Sequence, residues 1–290
     1  MLRLFAAGVL SLVLGPPAAA AAERVPALVT YTFEESSSSV TPNGERAAAL
    51  AARVEVADEK VRVEISGSSF PRARGSILIV DGAKAVLVDP KAREGAHLDV
   101  SELDTLFLAP AADDGGGAGV RLREKTITVA RDGEGAPFQG VSTKRWRVTV
   151  NAFVNVTTPG RVATIHGVTR GTIETVEWPD AASPIDGLAR LFRARGEVRT
   201  ALEEELRRVE GFPVRVKLEG ETEMSAEPVG EGIGHEVLER PMKTTVRAER
   251  SVHDLTRRPL SPRDAALFTV PEDVRLRAPE RLVRQETLAR

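Results

Sequence analysis

The chain has 290 residues, a net charge of −2 with 28% charged side chains, 4% aromatic residues and no cysteine. Without cysteine there are no disulfides, no thiol nucleophile, no Cys-ligated metal and no lipid attached through a cysteine. The charges are mixed in sign, which excludes a basic nucleic-acid-binding stripe, and the scarcity of aromatics points to an aliphatic interior rather than a base- or sugar-stacking surface.

The first residues, MLRLFAAGVLSLVLGPPAAAAAE, have the parts of a secretory signal. Arg3 is the positive region, 4–14 the apolar region, and the small residues 18–22 suit cleavage before Glu23. The apolar run is shorter than the roughly 20 residues that span a bilayer, so residues 1–22 are expected as a signal peptide and no transmembrane segment as remaining after its removal. Pro16-Pro17, the alanine-rich cleavage region and the preference for Arg over Lys suggest a bacterium of high GC content, and hence a periplasmic or secreted protein.

Residues 28–35 (LVTYTFEE) predict a first strand, 36–45 (SSSSVTPNGE) a polar loop, and 47–53 a strand or short helix. Residues 53–65 predict a hairpin: Val54 and Val56 alternate with Arg53 and Glu55, and Val61, Val63 and Ile65 with Arg62 and Glu64. Asp81-Gly82 supplies a tight turn between 77–80 and 83–88. The next stretch, 91–110, is irregular, with 98–108 a candidate helix capped by Ser101. A flexible loop (DDGGGAG, 113–119), a strand (120–130) and another loop (RDGEGAPFQG, 131–140) follow.

Residues 145–180 predict the long central hairpin. Trp146, Val148, Val150, Ala152, Val154 and Val156 alternate with Arg145, Arg147, Thr149, Asn151, Asn155 and Thr157, and only Phe153 is out of step. Successive strand side chains point to opposite faces, so one face is dry and the other wet. Thr158-Pro159-Gly160-Arg161 makes the turn. Helix is expected only after Trp178-Pro179. Ser183 caps a first piece carrying Ile185, Leu188, Leu191 and Phe192, Gly196 breaks it, and 197–210 resumes with Val198, Leu202, Leu206 and Val209 before Gly211 as the terminating glycine. Strands return at 212–219, at 242–255 as a polar edge strand, and in a closing stretch at 259–271. Residues 272–290 read as a charged loose helix or tail. Strands around one helical insertion define an α+β chain dominated by antiparallel sheet.

The chemistry-bearing residues do not assemble. His97, His166, His235 and His253 have no i, i+4 partner, and His235-Glu236 lacks the second His of a helical zinc motif because Glu239 stands there. Ser66-Gly67-Ser68-Ser69 and Gly140-Val141-Ser142 are not nucleophile elbows, and Gly230-Glu231-Gly232-Ile233-Gly234 has no βαβ unit around it. Glu34 and Glu35 are adjacent on a strand and point to opposite faces. No catalytic residues, metal or cofactor are expected.

What survives is a surface. A sheet with one long dry face must cover it with a helix, close into a barrel or hold a ligand. Residues 185–192 are the candidate cover. If the sheet curls into an incomplete barrel, Trp146, Val148, Val150, Trp178, Leu188 and Phe192 are the candidate ligand-binding wall.

VEVADEKVRVEI followed by SILIVDGAKAVLVDPKAREGAHLD, then GFPVRVKLEG after a charged helix and ALFTVPEDV near the end, resemble the half-barrel superfamily of periplasmic lipoprotein carriers (LolA/LolB-like) and, more narrowly, secreted bacterial proteins with a domain of unknown function in it. The resemblance covers roughly 28–274. It departs at Gly95, where an aromatic is common, and in lacking the cysteine of lipid-anchored members. It implies a curved antiparallel sheet forming an incomplete β-barrel with a helical plug on the concave face: one half-barrel domain at 23–274 and a charged tail at 275–290. It also implies an exported, non-enzymatic carrier that holds a lipid, an acyl chain or a lipidated partner between sheet and helix. The alternative is an envelope interaction or sensing module whose partner is a protein docked on the edge at 243–253 or on the tail.

Overall fold

The computed structural model describes residues 26–42, 44–58, 60–69, 74–82, 84–99, 119–158, 161–177, 196–228 and 241–277. The expected signal peptide, the helix expected at 183–195, the glycine-rich loops at 113–118 and 230–234, and His235 lie outside these residues. In chain order the elements are β1 (Ala27–Thr41), β2 (Gly44–Ala57), β3 (Lys60–Ser68), β4 (Ile77–Asp81), β5 (Lys84–Asp89), β6 (Glu94–Asp99), β7 (Gly119–Glu134), β8 (Thr143–Thr158) and β9 (Arg161–Val176). Then come helix α1 (Gly196–Leu206), β10 (Phe212–Pro228), β11 (Met242–Pro259), a 3₁₀ helix (Pro262–Phe268) and β12 (Arg275–Arg277). The described protein is thus mostly β-sheet, and the sheet is open: β12 and β7 are terminal strands.

The chain forms two compact units, one drawn from 1–34, 49–108 and 252–290, the other from 35–48 and 109–251. In the first unit the strand order is β12-β6-β5-β4-β3-β2-β1-β11. The β2–β3 hairpin pairs Val56 with Val61 and Val54 with Val63, so both apolar sets share one face. Asp58 turns this hairpin at φ 53°, and Gly82 turns β4 into β5 at φ 57°. The other face is covered locally. Phe268 of the 3₁₀ helix packs with Leu28 and Ala57, flanked by Leu260 and Leu267. With cover on both sides, the successive residues Leu78, Ile79 and Val80 of β4 are all buried.

In the second unit β2, β1, β11, β10, β9, β8 and β7 follow one another in the sheet. The β8–β9 hairpin keeps strict register from Thr143↔Val176 to Thr158↔Arg161, as the alternation of 146–156 predicts. Helix α1 lies on the dry face. Leu202 and Leu206, at i and i+4, are fully buried and pack with Val209 against Trp146, Val148, Val150, Ile173, Val216, Leu218, Ala248 and Val129. Gly171 stands opposite Leu218, and a Cβ there would come within 2.3 Å of the Leu218 Cδ2, so the glycine makes room for the leucine. Gly211, at φ 89°, is not the terminating glycine expected of the helix, which ends at Leu206; it stands next to β10 and brings the chain against the Val176 carbonyl.

Several expectations are corrected. The loop expected at 36–45 is strand almost throughout: β1 runs on to Thr41 and β2 starts at Gly44. Serine is a weak strand former, but β1 is flanked by β2 and β11, and two neighbours outweigh local preference. In the irregular stretch 91–110, 94–99 is β6, paired to β5 from Asp89↔Glu94 to Lys84↔Asp99; Leu98 therefore belongs to a strand, and 100–110 lies outside the described residues. The loop at 131–140 is shortened because β7 continues to Glu134. Gly196 is itself helical, within α1, and α1 ends at Leu206 in tight turns, Val209 N–H donating to the Leu206 carbonyl. β11 is not an edge strand; it lies between β1 and β10. Its polar alternate positions belong to the wet face, where Lys217–Glu249, Arg247–Glu219 and Lys243–Glu223 pair across from β10. Within the closing stretch at 259–271, Pro262–Phe268 is a 3₁₀ helix capped through Ser261 and Asp264, and the tail contributes a short strand, β12.

Candidate functional site

The register of the second unit places one residue from each strand in rows along the helix-facing face. Under α1, Trp146 stands beside Ile173, and Ile173 beside Val216; next to them run Val129, Val148, Gly171, Leu218 and Ala248. Of the six residues expected to form a ligand wall, three, Trp146, Val148 and Val150, are buried members of the core beneath α1, whereas Trp178, Leu188 and Phe192 lie outside the described residues. Trp146 is further fixed by its indole N–H, which donates to Thr175 Oγ1 at 3.3 Å.

Away from α1 the same face continues. A middle band pairs Ala152 with Gly167 and Gly167 with Thr222, and a Cβ added at Gly167 would meet only Thr222 Oγ1, at 3.8 Å. Beyond it Leu122, Val154, Ile165, Met224 and Met242 stand in one row across five strands. All five are half-buried rather than core. The face therefore has a closed end under the helix, a band of small residues and an apolar lip. Residues 154 and 165 were legible as a pair, since they are equidistant from the 158–161 turn. Met224, Met242 and Leu122 were not, because their place depends on which strands become neighbours. Lys125, exposed on β7, pairs in register with Ala152 and brings a cation to this face.

Among the described residues the opposite face of β8 and β9 is polar, and its groups pair across strands. Phe153, the residue out of step, stacks on His166 with ring centroids 4.0 Å apart, and His166 Nε2 lies 2.9 Å from Asn151 Oδ1. His97 and His253 are exposed on β6 and β11. On the helix-facing side Arg250, buried and paired in register with Val216, donates to Glu35 at 2.5 and 3.0 Å, and in the first unit Ser69 Oγ is taken up with the Ala49 backbone. Arg215 reaches Glu174 at 2.7 Å and donates to the carbonyls of Ala136 and Pro137, which fastens the loop between β7 and β8.

Charge is also buried in the first unit. Glu55 is 4% exposed and accepts from Arg62 at 2.8 Å and from Arg53 at 3.2 Å. Burial works to lower the Arg62 pKa, but hydrogen bonds to Glu64 and Glu55 outweigh it and the net shift is upward, so the guanidinium keeps its charge. Arg258 donates to both Asp264 oxygens, at 2.7 and 2.5 Å, and Ser261 donates from its N–H and its hydroxyl. Together these hold the Asp264 carboxyl well below the usual carboxylate range, and the same contact raises Arg258. Among the described residues no group of three or more His, Asp or Glu is placed to hold a metal ion, and no helix is long and apolar enough to cross a membrane.

No protein-family model and no curated protein matches the chain. Solved structures do. The chain is similar to a LolA superfamily protein from Nitrosomonas europaea, with 10% identity over 92% of this chain and 97% of the other and a TM-score of 0.26. It is also similar to a DUF1329 family protein from Desulfovibrio piger, with 8% identity over 92% of this chain and 97% of that one and a TM-score of 0.23.

Proposed function

We propose that the chain is an exported, non-enzymatic binding or carrier protein of the bacterial periplasm or exterior, and that it holds a lipid, an acyl chain or a lipidated partner on the helix-facing side of the second unit's sheet. The observation that supports this reading is the row Leu122, Val154, Ile165, Met224 and Met242, which prolongs a buried face into a half-buried apolar lip. In the incomplete-barrel architecture of this reading, α1 is the plug. The wall consists of Trp146, Val148 and Val150 as the floor of the closed end, with Trp178, Leu188 and Phe192. Withdrawing an acyl chain from water onto such a face contributes about 0.8 kcal/mol per methylene, so a chain of ordinary length needs no charged pocket to be held.

Native mass spectrometry of the mature protein, purified gently from the periplasm and followed by organic extraction, tests this reading. A discrete added mass that extracts as a lipid is expected. Ile165→Glu sets a carboxylate in the middle of the lip and is expected to remove that mass while leaving the melting temperature near that of the wild type. A clean apo mass that stays clean after incubation with phospholipid vesicles would overturn the proposal.

A further inference from the structure

The first unit's sheet ends in the short β12, and the cover this strand gives β6 is slight. β12 pairs with β6 in parallel over three residues, Arg275 opposite Glu94, Leu276 opposite Gly95 and Arg277 opposite Ala96. One backbone bond fastens its start, Arg275 N–H to the Arg93 carbonyl at 2.9 Å. All three residues are exposed, and the side-chain fastenings are the solvent-facing pairs Arg93–Asp273, at 3.5 Å, and Arg277–Glu94. Pairs of this kind contribute little.

The seat, by contrast, is shaped. Gly95 is buried, and a Cβ there would stand 3.1 Å from Val274 Cγ1, 3.2 Å from Leu276 Cδ2 and 3.1 Å from the Leu87 carbonyl oxygen. The missing side chain is thus the hollow in which two alternate apolar side chains of the strap rest. Beyond Ala96 the strand continues to Asp99 with β5 on one side and, among the described residues, no strand on the other.

We infer that the β6 edge is a strand-accepting groove for an extended protein segment supplied in trans, and that the strap 273–277 fills it in cis. Added strands draw affinity from main-chain hydrogen bonds and specificity from pockets for alternate side chains, and both are present here. The strap itself states the chemistry of the partner: apolar residues two positions apart to fill the Gly95 hollow, and a base directly after the second to meet Glu94. Because the strap is tethered, its high effective concentration holds the groove shut against weak competitors.

The test uses the full chain and a fluorescent peptide of sequence PEDVRLR, which copies 271–277. Val274→Asp with Leu276→Asp unseats the strap, and faster amide exchange confined to β6 verifies that it has left a folded protein. By fluorescence anisotropy this variant is expected to bind the peptide, and the wild type to bind it at least about tenfold more weakly. Adding Gly95→Val to the unseated variant is expected to abolish binding. Should the double variant fail to fold, Arg277→Glu loosens the strap without altering the seat and must raise peptide affinity above that of the wild type. An open β6 edge that captures no peptide, capture that survives Gly95→Val, or an Arg277→Glu affinity equal to that of the wild type would each overturn the inference.

Discussion

Asp264 joins three groups with one carboxylate: the Arg258 guanidinium, the Ser261 N–H and the Ser261 hydroxyl. These favour the ionised form, so its folded-state pKa lies below the ordinary carboxylate value of about 3.9. A depressed carboxylate contributes stability that is present above its unfolded pKa and is lost as pH falls from there through the folded value. Asp264→Asn keeps the shape and removes the charge. The variant is expected to melt below the wild type at neutral pH, with the gap closing once pH drops under about 4; thermal melts between about pH 7 and about pH 2 measure it. A gap that stayed constant with pH would mean that geometry, not charge, is what Asp264 supplies. Glu55 shows the same economy on the β2–β3 hairpin. Its neighbours Arg53 and Arg62 were legible in the sequence as the polar side of an alternating hairpin, but its burial was not, because that needs the chain's distant end to fold over it.

At the scale of elements, α1 is held by its face rather than by its ends. Leu202 and Leu206 are fully buried, while Glu204 is exposed. Leu202→Ala is expected to cost about 2–5 kcal/mol in urea unfolding, and Glu204→Ala to fall within about 0.5 kcal/mol of the wild type. The i, i+4 spacing of Val198, Leu202 and Leu206 made this helix legible, since one period places all three on a single side. The hairpins β2–β3, β4–β5 and β8–β9 were legible for the same reason: a turn and two alternating arms are local. What local pattern does not carry is the choice of neighbours. The serines of 36–39 become strand because of β11, and β11 reads as an edge because polar alternation looks alike on a central strand with one wet face. The candidate site divides along this line. Val148 and Val150 follow from alternation alone, whereas Met224 and Met242 join the lip only once β10 and β11 are set beside β9.

For the molecule as a whole, three strands are common property: β1, β2 and β11 each contribute residues to both units. The first unit also unites distant stretches of chain. Thr32 Oγ1 donates to the His253 carbonyl, 221 residues away, and Leu260 N–H donates to the carbonyl of Pro26. Contacts of such separation form late, since the entropy of closing a long loop precedes any reward. In pulsed amide exchange during refolding, residues 28–33 are expected to become protected together with 252–258 and after the β8–β9 hairpin. Earlier protection of 28–33 would show that they have another partner first. The direction of synthesis then takes on a consequence. β1 is made long before β11 and the segment that follows it, so the first unit's sheet cannot be completed until 252–260 has been synthesised, whatever has folded in between.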